Sequence, residues 1–140
     1  MIRTYIDAGV LLAAARGAGR LYKRALGEIT DTKDREFVCS DYVRLEIIPK
    51  ATYERQRAEL KFYADFFSTV RIWLPFDIRD LKGALDEACY SGLSAMDAIH
   101  IVAAAGSGCH EIVTSEKPSK PMHRTRLITV RSIDEDGENE

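Results

Sequence analysis

Four carboxylates stand where a chain of alternating strands and helices would bring distant segments to one edge: Asp7, Glu46, Asp97 and Glu116. Asp7 closes an apolar strand, Arg3-Thr-Tyr-Ile-Asp7, and Glu116 follows another, Glu111-Ile-Val-Thr-Ser-Glu116. Glu46 lies inside the apolar helical run Val43-Arg-Leu-Glu-Ile-Ile48, and Asp97 lies in the first turn of a helix opened by Ser94. Gathered carboxylates repel one another and are costly to desolvate unless a cation or a proton joins them. An oxygen-only set suits Mg2+ or Mn2+ better than Zn2+. Such an ion binds phosphate oxygens and activates water, so the substrate class it implies is a phosphoester.

Each acid also has a purely structural explanation. Asp7 can begin a turn. Glu46 can snorkel or pair with a base. Ser94-x-x-Asp97 matches a capping box, a role that leaves the carboxylate other lone pairs. Glu116 can be an exposed loop acid, with Ser115 beside it as an alternative polar group. His100 follows Asp97 by three residues, but no further His or Cys has ligand spacing, so it reads as a hydrogen-bonded, partly buried histidine. Arg16, Lys50, Lys117, Lys120 and Arg124 are the cations that could hold a phosphate backbone near the acids. Trp73 and Phe76 read as core.

The positioning elements follow from periodicity. Strands are expected near 2–7, 36–40, 70–74, 111–114 and 126–130. Helices are expected near 10–16, 21–28, from Ser40 to Pro49, 52–67, 77–90 and 94–105, with Pro49 ending or kinking its helix. On the helix at 77–90, Ile78, Leu81, Leu85 and Ala88 form one apolar side. Strands alternating with helices imply a mostly parallel sheet covered on both faces, with the ligand site beyond the carboxyl ends of the strands. Asp7 and Glu116 leave strands at that edge, and Glu46 and Asp97 sit near the starts of helices that begin there.

The 140 residues, 46% hydrophobic and 30% charged, fit one soluble domain over 1–133 with an acidic tail at 134–140. A net charge of −2 gives no bulk sign of nucleic-acid binding, although a bound metal would change the local sign. Cys39, Cys89 and Cys109 form no CxxC pair and read as reduced thiols. With no export segment and no apolar run of membrane-spanning length, the expected location is cytoplasmic, without a membrane partner.

In four segments the chain resembles the PIN-domain family, which includes the toxin nucleases of VapBC-type toxin–antitoxin pairs. They are Tyr5-Ile-Asp-Ala-Gly-Val-Leu-Leu12, Ser40-Asp-Tyr-Val-Arg-Leu-Glu46, Leu93-Ser-Ala-Met-Asp-Ala-Ile-His100 and Ile112-Val-Thr-Ser-Glu116. The resemblance implies a three-layer α/β/α sandwich with a mostly parallel five-stranded sheet. It implies an Mg2+- or Mn2+-dependent ribonuclease cleaving RNA, an antitoxin protein as partner, and a homodimer. Asp7, Glu46 and Asp97 match the family's metal-binding acids, and Glu116 falls at the fourth, commonly an aspartate. Two positions depart from the family pattern: Gly9 stands where Ser, Thr or Asn is frequent, and Thr114-Ser-Glu116 replaces Thr-Asn-Asp. A rival reading is a PIN-like RNA- or protein-binding module without turnover. A receiver-like phosphoacceptor fits poorly, because strand one supplies a single acid and the third strand ends in Leu74-Pro75.

Overall fold

The computed structural model describes residues 1–134. Five strands, β1 (Ile2–Ile6), β2 (Arg35–Ser40), β3 (Ile72–Leu74), β4 (Glu111–Thr114) and β5 (Thr129–Ser132), pair in the order β3-β2-β1-β4-β5, every pair parallel. Six helices connect them: α1 (Ala8–Ala15), α2 (Tyr22–Thr30), α3 (Asp41–Tyr53), α4 (Arg57–Phe67), α5 (Arg79–Ser91) and α6 (Ala95–Gly106). From β1 the chain steps outward to β2 and β3, then crosses back to β4 and continues to β5. Right-handed crossovers in opposite directions put α1–α4 on one face and α5–α6 on the other. The result is the three-layer α/β/α sandwich. With both faces covered, the inner strands carry near-continuous apolar runs: Tyr5, Ile6, Phe37, Val38, Cys39, Ile112 and Val113 are all buried.

The chain reverses direction between β1 and β4, and parallel sheets open a ligand crevice at that point, beyond the strand ends. Asp7 follows β1 there and also N-caps α1. The opposite edge holds an ionic network. The Arg35 side chain, 8% exposed, meets Glu28 at 2.9 Å and Glu111 at 3.4 Å, and Arg131 bonds both glutamates. Burial pushes both glutamates up, yet the Arg131 and Arg35 bonds and charges outweigh it and hold them below the ordinary value. A folded pKa below the unfolded one contributes stability above the unfolded pKa that is lost as pH falls through the folded one. We therefore expect Arg35→Met to cost about 3 kcal/mol in urea unfolding at neutral pH, because it leaves buried carboxylates underpaired. The same variant should lose less additional stability than the parent as pH falls through the glutamate range. Equal urea midpoints at neutral pH would contradict this.

Several elements depart from their sequence expectation. Helix α3 runs through Pro49 to Tyr53, and the break falls at 54–56, where Arg55 has φ +54°. Pro49 forfeits a bond to the Leu45 carbonyl. Leu45 and Pro49 are both exposed, so water can take that bond. The fifth strand starts at Thr129, not 126, because its partner β4 begins only at Glu111, opposite Thr129. Phe76 is exposed rather than core, and Trp73 is half-buried, its indole N–H donating to Asp41 at 2.8 Å. Ile78, Leu81 and Leu85 face outward, and α5 packs inward through Ala84, Glu87 and Ser91. Asp134, read as the start of the tail, is buried and held by Arg20 through two bonds of 2.7 and 2.9 Å. The rest of the expected acidic tail, 135–140, lies outside the described residues. Among the described residues no single helix is long and apolar enough to cross a membrane.

Candidate metal centre

Asp7 is fixed on two sides. Its Oδ1 accepts from the Ala8 amide at 2.6 Å, and its Oδ2 accepts from the Thr114 hydroxyl at 2.9 Å. The same Thr114 oxygen accepts from the Glu116 amide at 3.1 Å, so the end of β4 is folded onto the end of β1. Asp7 is 7% exposed, deep enough that its charge needs company.

Glu46 comes from the second turn of α3, whose N-cap Ser40 accepts from the Val43 amide at 3.3 Å. Across from it, His100 is 1% exposed. One ring nitrogen, Nε2, contacts Glu46 Oε1 directly and lies 3.7 Å from Asp7 Oδ1. The other, Nδ1, is 2.6 Å from the Tyr5 hydroxyl, which is itself 2.6 Å from Ser40 Oγ. An ionised carboxylate only accepts, so Nε2 must carry the hydrogen toward Glu46. With a neutral ring, Tyr5 donates to Nδ1 and accepts from Ser40. With a doubly protonated ring, Nδ1 donates to Tyr5 and Tyr5 donates to Ser40. Burial lowers the His100 pKa, but the Glu46 bond and the charges of Asp7, Glu46 and Asp97 outweigh it and raise it overall. Burial holds the Tyr5 phenol well above its ordinary range, so Tyr5 stays neutral in this chain of bonds.

Asp97 is half-buried in the first turn of α6, where the Ser94 hydroxyl accepts from its amide at 3.3 Å. Burial first, then the charges of Asp7 and Glu116, push its carboxyl above the ordinary value against a hydrogen bond to Ser94. An acid shifted upward destabilises the fold as pH rises past its unfolded pKa, so the site carries uncompensated negative charge.

Asp7, Glu46 and His100 offer one ligand atom each, all within 4.8 Å of one another. Asp97 and Glu116 flank that group, near enough for their charges to act on each other, but neither belongs to it. Two carboxylates and an imidazole at this spacing could hold a metal ion, with the Asp97 carboxyl beside them adding further negative charge. Of the candidate cations, Arg16 and Lys50 line a cleft of about 200 Å3 together with Glu46. Arg124 instead closes the end of α5, donating to the carbonyls of Ser91 at 2.9 Å and Gly92 at 3.2 Å. The sequence identified the acids but left Tyr5, Thr114 and the Glu46 contact of His100 without a role, because those contacts cross between elements far apart in the chain.

No curated protein matches the sequence. Among solved structures, the chain is similar to VapBC2 from Rickettsia felis bound to a DNA fragment from their promoter, with TM-score 0.72 at 12% identity, covering 94% of this chain and 98% of that one. It is similar to DNA-bound VapBC from Salmonella typhimurium, with TM-score 0.65 at 17% identity, covering 95% and 99%. It is also similar to Mycobacterium tuberculosis VapC20, described as a sarcin–ricin loop cleaving toxin, with TM-score 0.63 at 16% identity, covering 78% and 86%. At such identities the likeness is one of fold. The family model of the PIN domain matches residues 4–117, and with most of the sequence accounted for, the chain belongs to the PIN domain family.

Proposed function

We propose that this chain is a divalent-metal-dependent ribonuclease and the toxin member of a toxin–antitoxin pair. The observation that carries the reading is the meeting of Asp7 and Glu46, from separate crossovers, at ligand distance at the sheet's switch point, with Asp97 beside them. The fold shared with VapBC complexes and with a loop-cleaving toxin supports it. Asp7, Glu46 and Asp97 would hold Mg2+ or Mn2+, with Glu116 supporting a second ion or a water. When bound, the ion supplies an activated water and neutralises the departing alkoxide.

The chain's own residues do the rest. Thr114 and the Ala8 amide keep both Asp7 oxygens aimed. His100, fixed by Tyr5, orients Glu46. Arg16 and Lys50, beside Glu46, would bind flanking phosphates of the RNA. Purified protein is expected to cut single-stranded RNA with Mg2+ or Mn2+ and to stop in EDTA. Cutting that persists undiminished in EDTA would sink the metal assignment.

The rival reading, a binding module without turnover, draws on His100 contacting a Glu46 oxygen that a metal would need. It is favoured if Mn2+ and RNA bind with no cleavage on varied substrates. An antitoxin protein and a cytoplasmic location go with the toxin reading. The homodimer expected of the family would use the exposed Ile78, Leu81 and Leu85 of α5 rather than α4, which keeps Tyr63 and Phe66 buried. A monomer in sedimentation equilibrium would remove it.

A further inference from the structure

From residue 117 to residue 131 the sequence runs through Lys117, Lys120, Arg124, Arg126 and Arg131 without an acid, in a chain whose net charge is −2. Arg131 pairs with Glu28 and Glu111. The other four have no carboxylate at ion-pair distance among the described residues, and Lys120, Arg124 and Arg126 are exposed. The stretch is nonetheless fixed. His123 Nε2 donates to the Glu116 carbonyl at 3.1 Å, and the Thr125 hydroxyl donates to the buried Glu87 carboxylate at 2.6 Å. Arg124 donates to the last carbonyls of α5, those of Ser91 and Gly92. Gly92, at φ +69°, allows that approach, since a Cβ there would stand 2.9 Å from Arg124 Nη2.

These ties leave a cleft of about 550 Å3 between the end of α5 and the residues before β5, lined by Cys89, Tyr90, Ser91, Gly92, Arg124 and Arg126. Tyr90 is 69% exposed, and the Arg126 guanidinium lies over its ring, 5.9 Å from the centroid. An aromatic face beside unpaired arginines suits single-stranded nucleic acid, whose bases stack on the ring while its phosphates meet the guanidinium groups. Apart from Tyr90 the lining offers no large apolar side chain, which the core of a protein interface would need. The cleft joins the metal centre along two segments. Gly92 leads through Leu93 and Ser94 to Asp97, and the Glu116 carbonyl holds His123. It therefore stands on the side of Asp97 and Glu116, whereas Arg16 and Lys50 stand beside Glu46.

We propose that this cleft holds nucleotides of the RNA strand that flank the cleaved bond, with a base stacked on Tyr90 and phosphates on Arg124 and Arg126. The proposal rests on the ribonuclease reading above and names where the substrate strand runs. Lys117 and Lys120, between Glu116 and those arginines in sequence, offset the repulsion that the carboxylates exert on the strand.

The test uses the full chain and a mixed-sequence single-stranded RNA oligonucleotide, its binding read by anisotropy in Ca2+ over a range of KCl. Tyr90→Ala should weaken binding about tenfold, the worth of one stacked base, without changing the salt dependence. Tyr90→Phe keeps the ring and should restore parental binding. Arg126→Gln should reduce the slope of log Kd against log salt by about 0.7, one phosphate contact on a single strand. In Mn2+ cleavage assays the Tyr90→Ala loss should fall on KM rather than kcat, as for contacts made equally in the ground and transition states. Parental affinity and salt slope in the Tyr90→Ala, Arg126→Gln double variant would overturn the assignment and leave the cleft to a protein partner, with the nuclease reading intact. An equal loss in Tyr90→Phe and Tyr90→Ala would also overturn it, since stacking does not need the hydroxyl. A parent chain that neither binds nor cuts RNA overturns both readings.

Discussion

Asp7→Asn is expected to lower RNA cleavage at least a thousandfold, about 4 kcal/mol of transition-state stabilisation, while the melting temperature stays level or rises. Both halves of that expectation come from the geometry. The asparagine oxygen can still accept from the Ala8 amide, and its NH2 can donate to the Thr114 oxygen, which already accepts from Glu116. The scaffold therefore loses little. The formal charge is what disappears, and with it part of the repulsion that pushes Asp97 upward. Asp97→Asn is expected to behave alike, since its carboxyl is raised by burial and by Asp7 and Glu116. A single turnover assay beside a thermal melt, both on metal-loaded and EDTA-treated protein, separates the two effects. Undiminished cleavage in the Asp7→Asn, Asp97→Asn double variant ends the metal assignment. A large fall in the EDTA melting temperature would instead make Asp7 chiefly a cap.

The scaffold could be read from the sequence wherever local pattern and tertiary demand agree. Strands β1, β2 and β4 are apolar because they are buried on both faces, so each shows as a run bounded by polar residues. Pattern was misleading where it reports that a face is apolar but not what covers it. The Ile78, Leu81, Leu85 stripe has helical spacing yet faces outward, and α5 packs inward through Ala84 and Gly83, where small residues admit Val102 of α6. Pro49 departs from pattern for a different reason: an interior proline costs a hydrogen bond and crowds the carbonyl one turn back, yet on an exposed face, as at Leu45, the helix can carry that cost and continue.

The candidate site divides in the same way. Asp7, Glu46 and Asp97 could be found because acids among apolar residues conflict with their surroundings, and such conflicts concentrate at functional places. Thr114 and Tyr5 conflict with nothing locally, since a threonine or tyrosine in a strand is ordinary. Their roles exist only through pairings separated by 107 and 95 residues. The expectation of a hydrogen-bonded, partly buried histidine holds for His100 in its hydrogen bonds but not in its burial: the ring is 1% exposed and lies at ligand distance from Asp7 and Glu46. The partners that give it significance, Glu46 and Tyr5, are supplied by the fold.

That partnership yields the second large expected effect. Groups that orient a ligating carboxylate typically carry 10–100-fold in metal affinity. His100→Ala removes the donor to Glu46, whose side chain is one-third exposed and would then be free to swing into solvent. Where the ring is protonated, removing it also takes away a positive charge that competes with a metal, and that change favours binding. His100→Gln separates the two terms, because it too lacks the charge but keeps an amide donor at about the reach of Nε2. Mn2+ is therefore expected to bind His100→Ala some ten- to a hundredfold more weakly than His100→Gln, whatever the parent's affinity. Tyr5→Phe completes the comparison: it deletes the hydroxyl that fixes Nδ1 but leaves Nε2 on Glu46, so its metal affinity should fall less than that of His100→Ala. Calorimetric Mn2+ titrations of the three variants decide the matter. Equal affinities for the alanine and glutamine variants would reduce His100 to a packed ring and leave Glu46 to find its own position.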